Sequence, residues 1–139
     1  MRLARQAHLV VSFLFVGGVV VQVFLAGLGV FDDPSMFQTH AGWGYMLELI
    51  PLILLALAIV GRLGRRQILY AAALFGMFIL QSVLVGLRAD LPVVAALHPV
   101  NGFAILLVGI LTAREAWQSR GAVAPAPTVP EPAVAATNR

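Results

Sequence analysis

The sequence predicts an all-α fold, an integral membrane four-helix bundle built from two repeated transmembrane hairpins. Three features predict it: an oily composition, four apolar runs of spanning length, and a gapless internal repeat. Of 139 residues, 60% are apolar and 11% charged. Soluble domains are nearer half apolar and a quarter charged, so the expected solvent is a lipid bilayer. No cysteine is present. That excludes disulfides, thiolate metal sites, a cysteine nucleophile and the C-x-x-C-H attachment of c-type haem.

The apolar runs fall at about 9–31, 34–61, 67–87 and 91–113. Each reaches the ~20 residues that carry a helix across the hydrocarbon core. Helices are expected because backbone polar groups cannot stay unpaired in lipid. The basic start "MRLARQ" suggests a signal peptide, but the run after it is too long for an h-region and lacks an A-x-A site, which predicts a retained first helix. Asp32 and Asp33 before Pro34, and Asp90 before Pro92, read as helix starts. "GRLGRRQ" at 61–67 reads as a compact basic turn. The spans form one domain, 1–117. The Ala/Pro-rich segment 118–139 is expected to be a disordered tail.

Arginine placement sets orientation. Arg2, Arg5, Arg62, Arg65, Arg66, Arg114 and Arg120 fall at one end, and Arg88 at the other with Asp32, Asp33 and Asp90. The basic end is expected to be cytoplasmic, with both termini inside and the localisation a multi-pass cell membrane protein. The arginines do not cluster with aromatics on a polar face, so the high isoelectric point does not indicate nucleic acid.

The repeat joins the first two spans to the last two. "GGVVVQVFLAGL" at 17–28 aligns on "GMFILQSVLVGL" at 76–87, matching Gly17, Gln22, Leu25, Gly27 and Leu28 to Gly76, Gln81, Leu84, Gly86 and Leu87. An acidic helix start and a histidine–glycine–aromatic element follow each block: "HAGWGY" from His40 and "HPVNGF" from His98. Two hairpins that start at the same end are parallel repeats about an axis along the membrane normal.

Both histidines lie roughly 10–12 Å from their helix starts, at ~1.5 Å per residue, and so at similar depth. That placement suits two ligands on opposite faces of one flat cofactor, haem b. Gly44 and Gly102 each lie one turn below a histidine on the same face, and Gly109 returns near that angle. Missing side chains there would give a macrocycle room. Pro99 is expected to bend the last span. The competing reading is packing: glycines let membrane helices approach closely, and histidines hydrogen-bond across a bundle. His8, at the start of the first span, reads as an interfacial residue.

The pattern resembles one half of the heme A synthase family, whose four-helix bundles carry a haem-ligating histidine on the second and fourth helices. His40 and His98 match those positions, and "LAGLG" resembles the small-residue stretch before that family's first outer loop. The chain is also similar to an uncharacterised family of small bacterial four-helix membrane proteins with Q-x-x-L-A-G-L and H-P-x-N-G elements. The resemblance covers residues 8–115 and implies a bis-histidine haem site. The chain departs from the synthase in having one bundle, no outer-loop cysteine, and Ala41 and Pro99 where an arginine often follows the histidine.

The remaining polar residues are read beside this pair. Glu48, eight residues past His40, is a costly carboxylate mid-span, suited to a proton relay, a quinone contact or an interhelical tie. Gln22 and Gln81 are expected to hydrogen-bond neighbouring helices. Arg88 could pair with a haem propionate, Asp90 or a lipid phosphate. Asn101 could bond locally. The expected function is a membrane b-type haem protein in electron transfer or haem handling, with a redox partner protein or quinone. The alternative is a haem-free accessory or scaffold subunit of a larger complex or homo-oligomer. A small transporter is disfavoured because no pair of broken helices is evident. No catalytic residue is assigned.

Overall fold

The computed structural model describes residues 1–120; the tail beyond Arg120 lies outside them. Its helices are α1 (Arg2–Phe31), α2 (Met36–Glu48), α3 (Ile50–Val60), α4 (Arg65–Gly86), the single turn α5 (Pro92–Ala95) and α6 (His98–Ser119). No strand occurs among the described residues. They make four rods long and apolar enough to cross a membrane: α1, α2 with α3, α4, and α5 with α6.

The helix limits differ from the apolar runs for simple reasons. An apolar run measures contact with lipid, whereas backbone hydrogen bonding continues into polar residues. Hence α1 begins at Arg2 rather than near residue 9, and α6 carries on to Ser119, into the segment expected to be tail. The second rod breaks at Leu49, because Pro51 has no N–H for the Leu47 carbonyl. The fourth pauses at Ala96 and Leu97, and Pro99 sits in the first turn of α6, where its missing N–H costs little. Asp33 closes a turn instead of capping α2: its carboxylate accepts from Ser35 N (2.8 Å) and Ser35 Oγ (2.6 Å). Those bonds hold the Asp33 carboxyl below the usual carboxylate range. Asp90 likewise lies in the turn before α5, whose N-cap is Leu91.

The α3–α4 turn is closed by a Schellman pattern. Leu63 N donates to Ala58 O (3.0 Å) and Arg62 N to Ile59 O (3.1 Å), with Arg62 in the left-handed region at φ 50. Arg5 Nε donates to the Gly61 carbonyl at 2.9 Å and ties the start of α1 to this turn.

The rods pack in a ring. α1 lies against α2, α3 and α6; α4 lies against α3 and α6. The second and fourth rods therefore face each other across one diagonal, and the first and third across the other. The mid-depth core is Phe15, Val19, Leu47, Leu54, Ala71, Leu74, Phe78 and Ile105. Phe15 and Phe78 meet edge to face across the first–third diagonal, with centroids 6.0 Å apart. Phe15 fits because Gly109 opposes it: a Cβ on Gly109 would stand 2.9 Å from the ring. The outward faces expose Val10, Leu14, Val20, Phe24, Leu69 and Leu107. Apolar surface on this scale does not face water in a monomer.

Candidate functional site

At the acidic end the diagonal brings His40, on α2, and His98, at the start of α6, together. Their ring centroids are 6.2 Å apart with planes at 60°. Both rings are half-buried. Each is held by the glutamine of the preceding rod. His40 Nδ1 lies 3.0 Å from the Gln22 carbonyl, and His98 Nδ1 3.4 Å from the Gln81 carbonyl. A carbonyl only accepts, so each neutral ring carries its proton on Nδ1 and its lone pair on Nε2. The glutamine side chain then donates to that lone pair: Gln22 Nε2 to His40 Nε2 and Gln81 Nε2 to His98 Nε2, both at 3.2 Å.

A third bond repeats. Trp43 Nε1 donates to Gly18 O at 2.9 Å, and Asn101 Nδ2 donates to Met77 O at 2.9 Å. Trp43 and Asn101 each stand three residues after the histidine, and Gly18 and Met77 each four before the glutamine. The sequence repeat therefore recurs as hydrogen bonding. The pairing of Trp43 with Asn101 is not suggested by residue type, since the two share only an N–H donor. Its signal is the spacing "H-x-x-W-G" beside "H-x-x-N-G".

The hairpins differ at two bonds, both made by hairpin 2 alone. Gln81 Nε2 also donates to His98 O, at 3.0 Å. Asn101 also donates to Gln81 Oε1, at 2.6 Å. Gln22 Oε1 is buried with no partner among the described residues. Trp43 has one N–H, already used on Gly18.

The glycines serve the glutamines in this arrangement. A Cβ on Gly44 would stand 2.9 Å from Gln22 Nε2, and one on Gly102 3.5 Å from Gln81 Nε2. The space below each histidine is where the amide sits. Gly109 serves Phe15 instead.

Other residues singled out by the sequence lie outside this network. Glu48 is the last residue of α2, half-buried and just before the break at Leu49. Arg88, in the turn after α4, is exposed and points its guanidinium at Val85 O near the end of that helix, at 3.3 Å.

His8, read from the sequence as an interfacial residue, is buried within the bundle. It is 0% exposed inside the basic end. Because α1 starts at Arg2, His8 is already in its second turn, and it shares an inward stripe with Ser12, Phe15 and Val19. Ser12 Oγ donates to His8 O at 2.7 Å. Gln67 and Thr112 are buried at the same end, joined by Gln67 Nε2 to Thr112 O at 3.1 Å. Ser12, Gln67 and Thr112 escape a sequence reading because single polar residues beside a basic turn look like surface.

Two imidazoles with lone pairs fixed on Nε2 form a donor set that fits haem iron, since metal-bound histidines usually give the other ring N–H to a carbonyl or carboxylate. The 6.2 Å between the ring centroids lies within the range of ordinary edge-to-face ring packing, so the spacing by itself does not distinguish a ligand pair from a packed pair. The glutamine amides stand at both Nε2 atoms and would have to turn aside. No cluster of three or more His, Cys, Asp or Glu capable of holding a bare metal ion occurs among the described residues.

A family of unknown function (DUF6220) matches residues 22–89, just under half of the chain. The matched stretch includes Gln22, His40, Gly44, Gln81 and Arg88 and stops short of His98. No curated protein and no solved structure matches the chain.

Proposed function

We propose that this chain is an integral membrane protein that binds one b-type haem between His40 and His98 near the outer face, and that it serves electron transfer or haem handling. The observation that carries this reading is the matched pair of imidazoles, each fixed by its Nδ1–H on a backbone carbonyl and brought ring to ring across the bundle. The membrane setting rests on four apolar rods of spanning length with outward apolar faces. The arginine excess at one end supports a cytoplasmic location for both termini.

His40 and His98 would hold the iron through Nε2, and the Gln22 and Gln81 carbonyls would keep both rings in the ligating tautomer. Bound haem supplies one-electron redox chemistry at its iron. With the glutamine amides turned aside, Gly44 and Gly102 would leave space on the ligand face; Arg88 is the cation available to a propionate, and Glu48 the carboxylate available to take up a proton with an electron. A quinone or a redox protein is the expected partner.

A second reading rests on the glutamine amides. They satisfy both Nε2 atoms and fill the space beside both glycines, as a haem-free scaffold subunit requires. Reduced-minus-oxidised absorbance of protein purified after growth with ample haem separates the two. A Soret band with low-spin features is expected. Its absence assigns the histidine–glutamine pairs to helix packing.

A further inference from the structure

A groove of about 550 Å³ runs between α1 and α6 at the basic end. Its walls are Phe13, Val16, Ile110 and Ala113, with Trp117 and Arg114 where it reaches that end. Phe13 and Trp117 meet edge to face at 6.0 Å, and Arg120 stacks over the indole. The groove is apolar along its length and cationic at its mouth.

The arginines around it differ in what holds them. Arg5 is spent on the Gly61 and Arg62 carbonyls, and Arg66 Nε lies 2.8 Å from Glu115 Oε2. Arg114 is exposed and makes no hydrogen bond or ion pair among the described residues. Among the described residues, Glu115 is the one acid at an end that carries Arg2, Arg5, Arg62, Arg65, Arg66, Arg114 and Arg120.

We propose that this groove binds an anionic phospholipid of the leaflet at the basic end, with one acyl chain against Val16 and Ile110 and the headgroup phosphate on Arg114. An apolar trough matches a lipid tail, and a free guanidinium at its mouth matches phosphate in charge and geometry. A partner helix with no carboxylate at that level fits less well, because seating it would cover the Arg114 charge unmet. The surplus of arginines at this end selects an anionic over a zwitterionic headgroup. The inference rests on the membrane reading and is independent of haem. A chain missing from the membrane fraction would sink the membrane reading and this proposal together.

The experiment is native mass spectrometry of the detergent-solubilised protein, mixed with equal amounts of phosphatidylglycerol and phosphatidylcholine carrying the same acyl chains. Wild type is expected to retain phosphatidylglycerol preferentially. Arg114→Gln should reduce that preference by about fivefold, the equivalent of ~1 kcal/mol for one arginine near the surface. Arg65→Gln removes the same charge from the same end but not from the groove, and should leave the preference intact. Ile110→Trp, at an exposed groove position, should lower retention of both lipids. Equal retention of the two lipids by wild type overturns the proposal. So does an Arg65→Gln effect as large as that of Arg114→Gln, which would make the preference a general surface-charge effect. Undiminished retention in Ile110→Trp overturns the groove as the chain's seat.

Discussion

The two hairpins meet one structural requirement with different residues. Each must hold a histidine ring and pin its rod to the one before it. Hairpin 1 does so with Gln22 and the indole of Trp43, hairpin 2 with Gln81 and the amide of Asn101. The first two bonds to the ring are the same in kind. Gln81 adds a bond to the His98 carbonyl that Gln22 does not match, and the flanking donors differ in count: one N–H in Trp43, two in Asn101. As a result Gln81 Oε1 is satisfied and Gln22 Oε1 is a buried orphan. A buried acceptor without a donor is costly, and native proteins rarely leave one. The repeat thus holds the geometry of the histidine pair constant while the two flanks diverge. The chemical asymmetry of the site is concentrated on the hairpin 1 side, where Glu48 also lies.

The largest expected effect tests the equivalence of the hairpins. His40→Ala and His98→Ala should each lose bound haem or turn it high-spin and five-coordinate, to the same extent. His8→Ala should keep the wild-type spectrum, because His8 belongs to the other end of the bundle. A full low-spin spectrum in either of the first two variants would show that the hairpins contribute unequally and that the pair is not the ligand set.

The next effect probes the donor count. Asn101→Leu removes both donors of the Asn101 amide and leaves Gln81 Oε1 orphaned, at a cost of about 1–3 kcal/mol in stability. Trp43→Phe removes one N–H whose acceptor, the Gly18 carbonyl, lies in the middle of α1 and keeps its helical partner. Its cost should be nearer 0.5–1.5 kcal/mol. Thermal unfolding of both variants in one detergent checks the order. If Trp43→Phe is the costlier, the indole's packing outweighs its hydrogen bond and the comparison by donor count fails.

The glycines give a smaller contrast. At Gly44 an added Cβ meets the Gln22 amide at 2.9 Å, whereas at Gly102 the Gln81 amide is 3.5 Å away, an ordinary contact. The Gln22 amide can shift, but only by loosening its bond to His40. Gly44→Ala should therefore cost about one hydrogen bond, ~0.5–1.5 kcal/mol, and Gly102→Ala close to nothing. Equal melting temperatures for the two would mean that the amide relaxes freely.

How far these differences can be read in the sequence depends on the kind of information each needs. The four rods were legible because ~20 apolar residues in a row leave few alternatives. The repeat was legible from glutamines and glycines in matching places. Element ends were less so: hydropathy locates lipid contact, and the helix at Arg2 or Ser119 depends on backbone bonds that hydropathy does not weigh. The break at Leu49 follows from Pro51, a local rule that an unbroken apolar run obscures. His8 shows a different limit. Its depth is fixed by position along α1, but its burial depends on which face of α1 meets α3 and α6. The kinship of Trp43 and Asn101 depends on the carbonyl each one reaches, which only the packing of the rods decides.

Glu48 offers the smallest and sharpest contrast. Hairpin 2 has Leu106 at the corresponding offset from its histidine, so a carboxylate is not needed to build the bundle. In hairpin 1 it stands half-buried at the end of α2, two turns from His40 and beside the break that Pro51 causes. In the proposed haem protein, a proton taken up there as the iron gains an electron would make the midpoint potential depend on pH. Glu48→Gln keeps the size and polarity of the side chain and removes the titration. Haem content and the oxidised spectrum should be unchanged, since the residue lies outside the histidine–glutamine network. The midpoint potential, followed by redox titration across neutral pH, should lose slope relative to wild type. A slope identical to wild type, together with a lowered melting temperature, would make Glu48 an interhelical tie and leave the hairpins functionally equivalent despite their different residues.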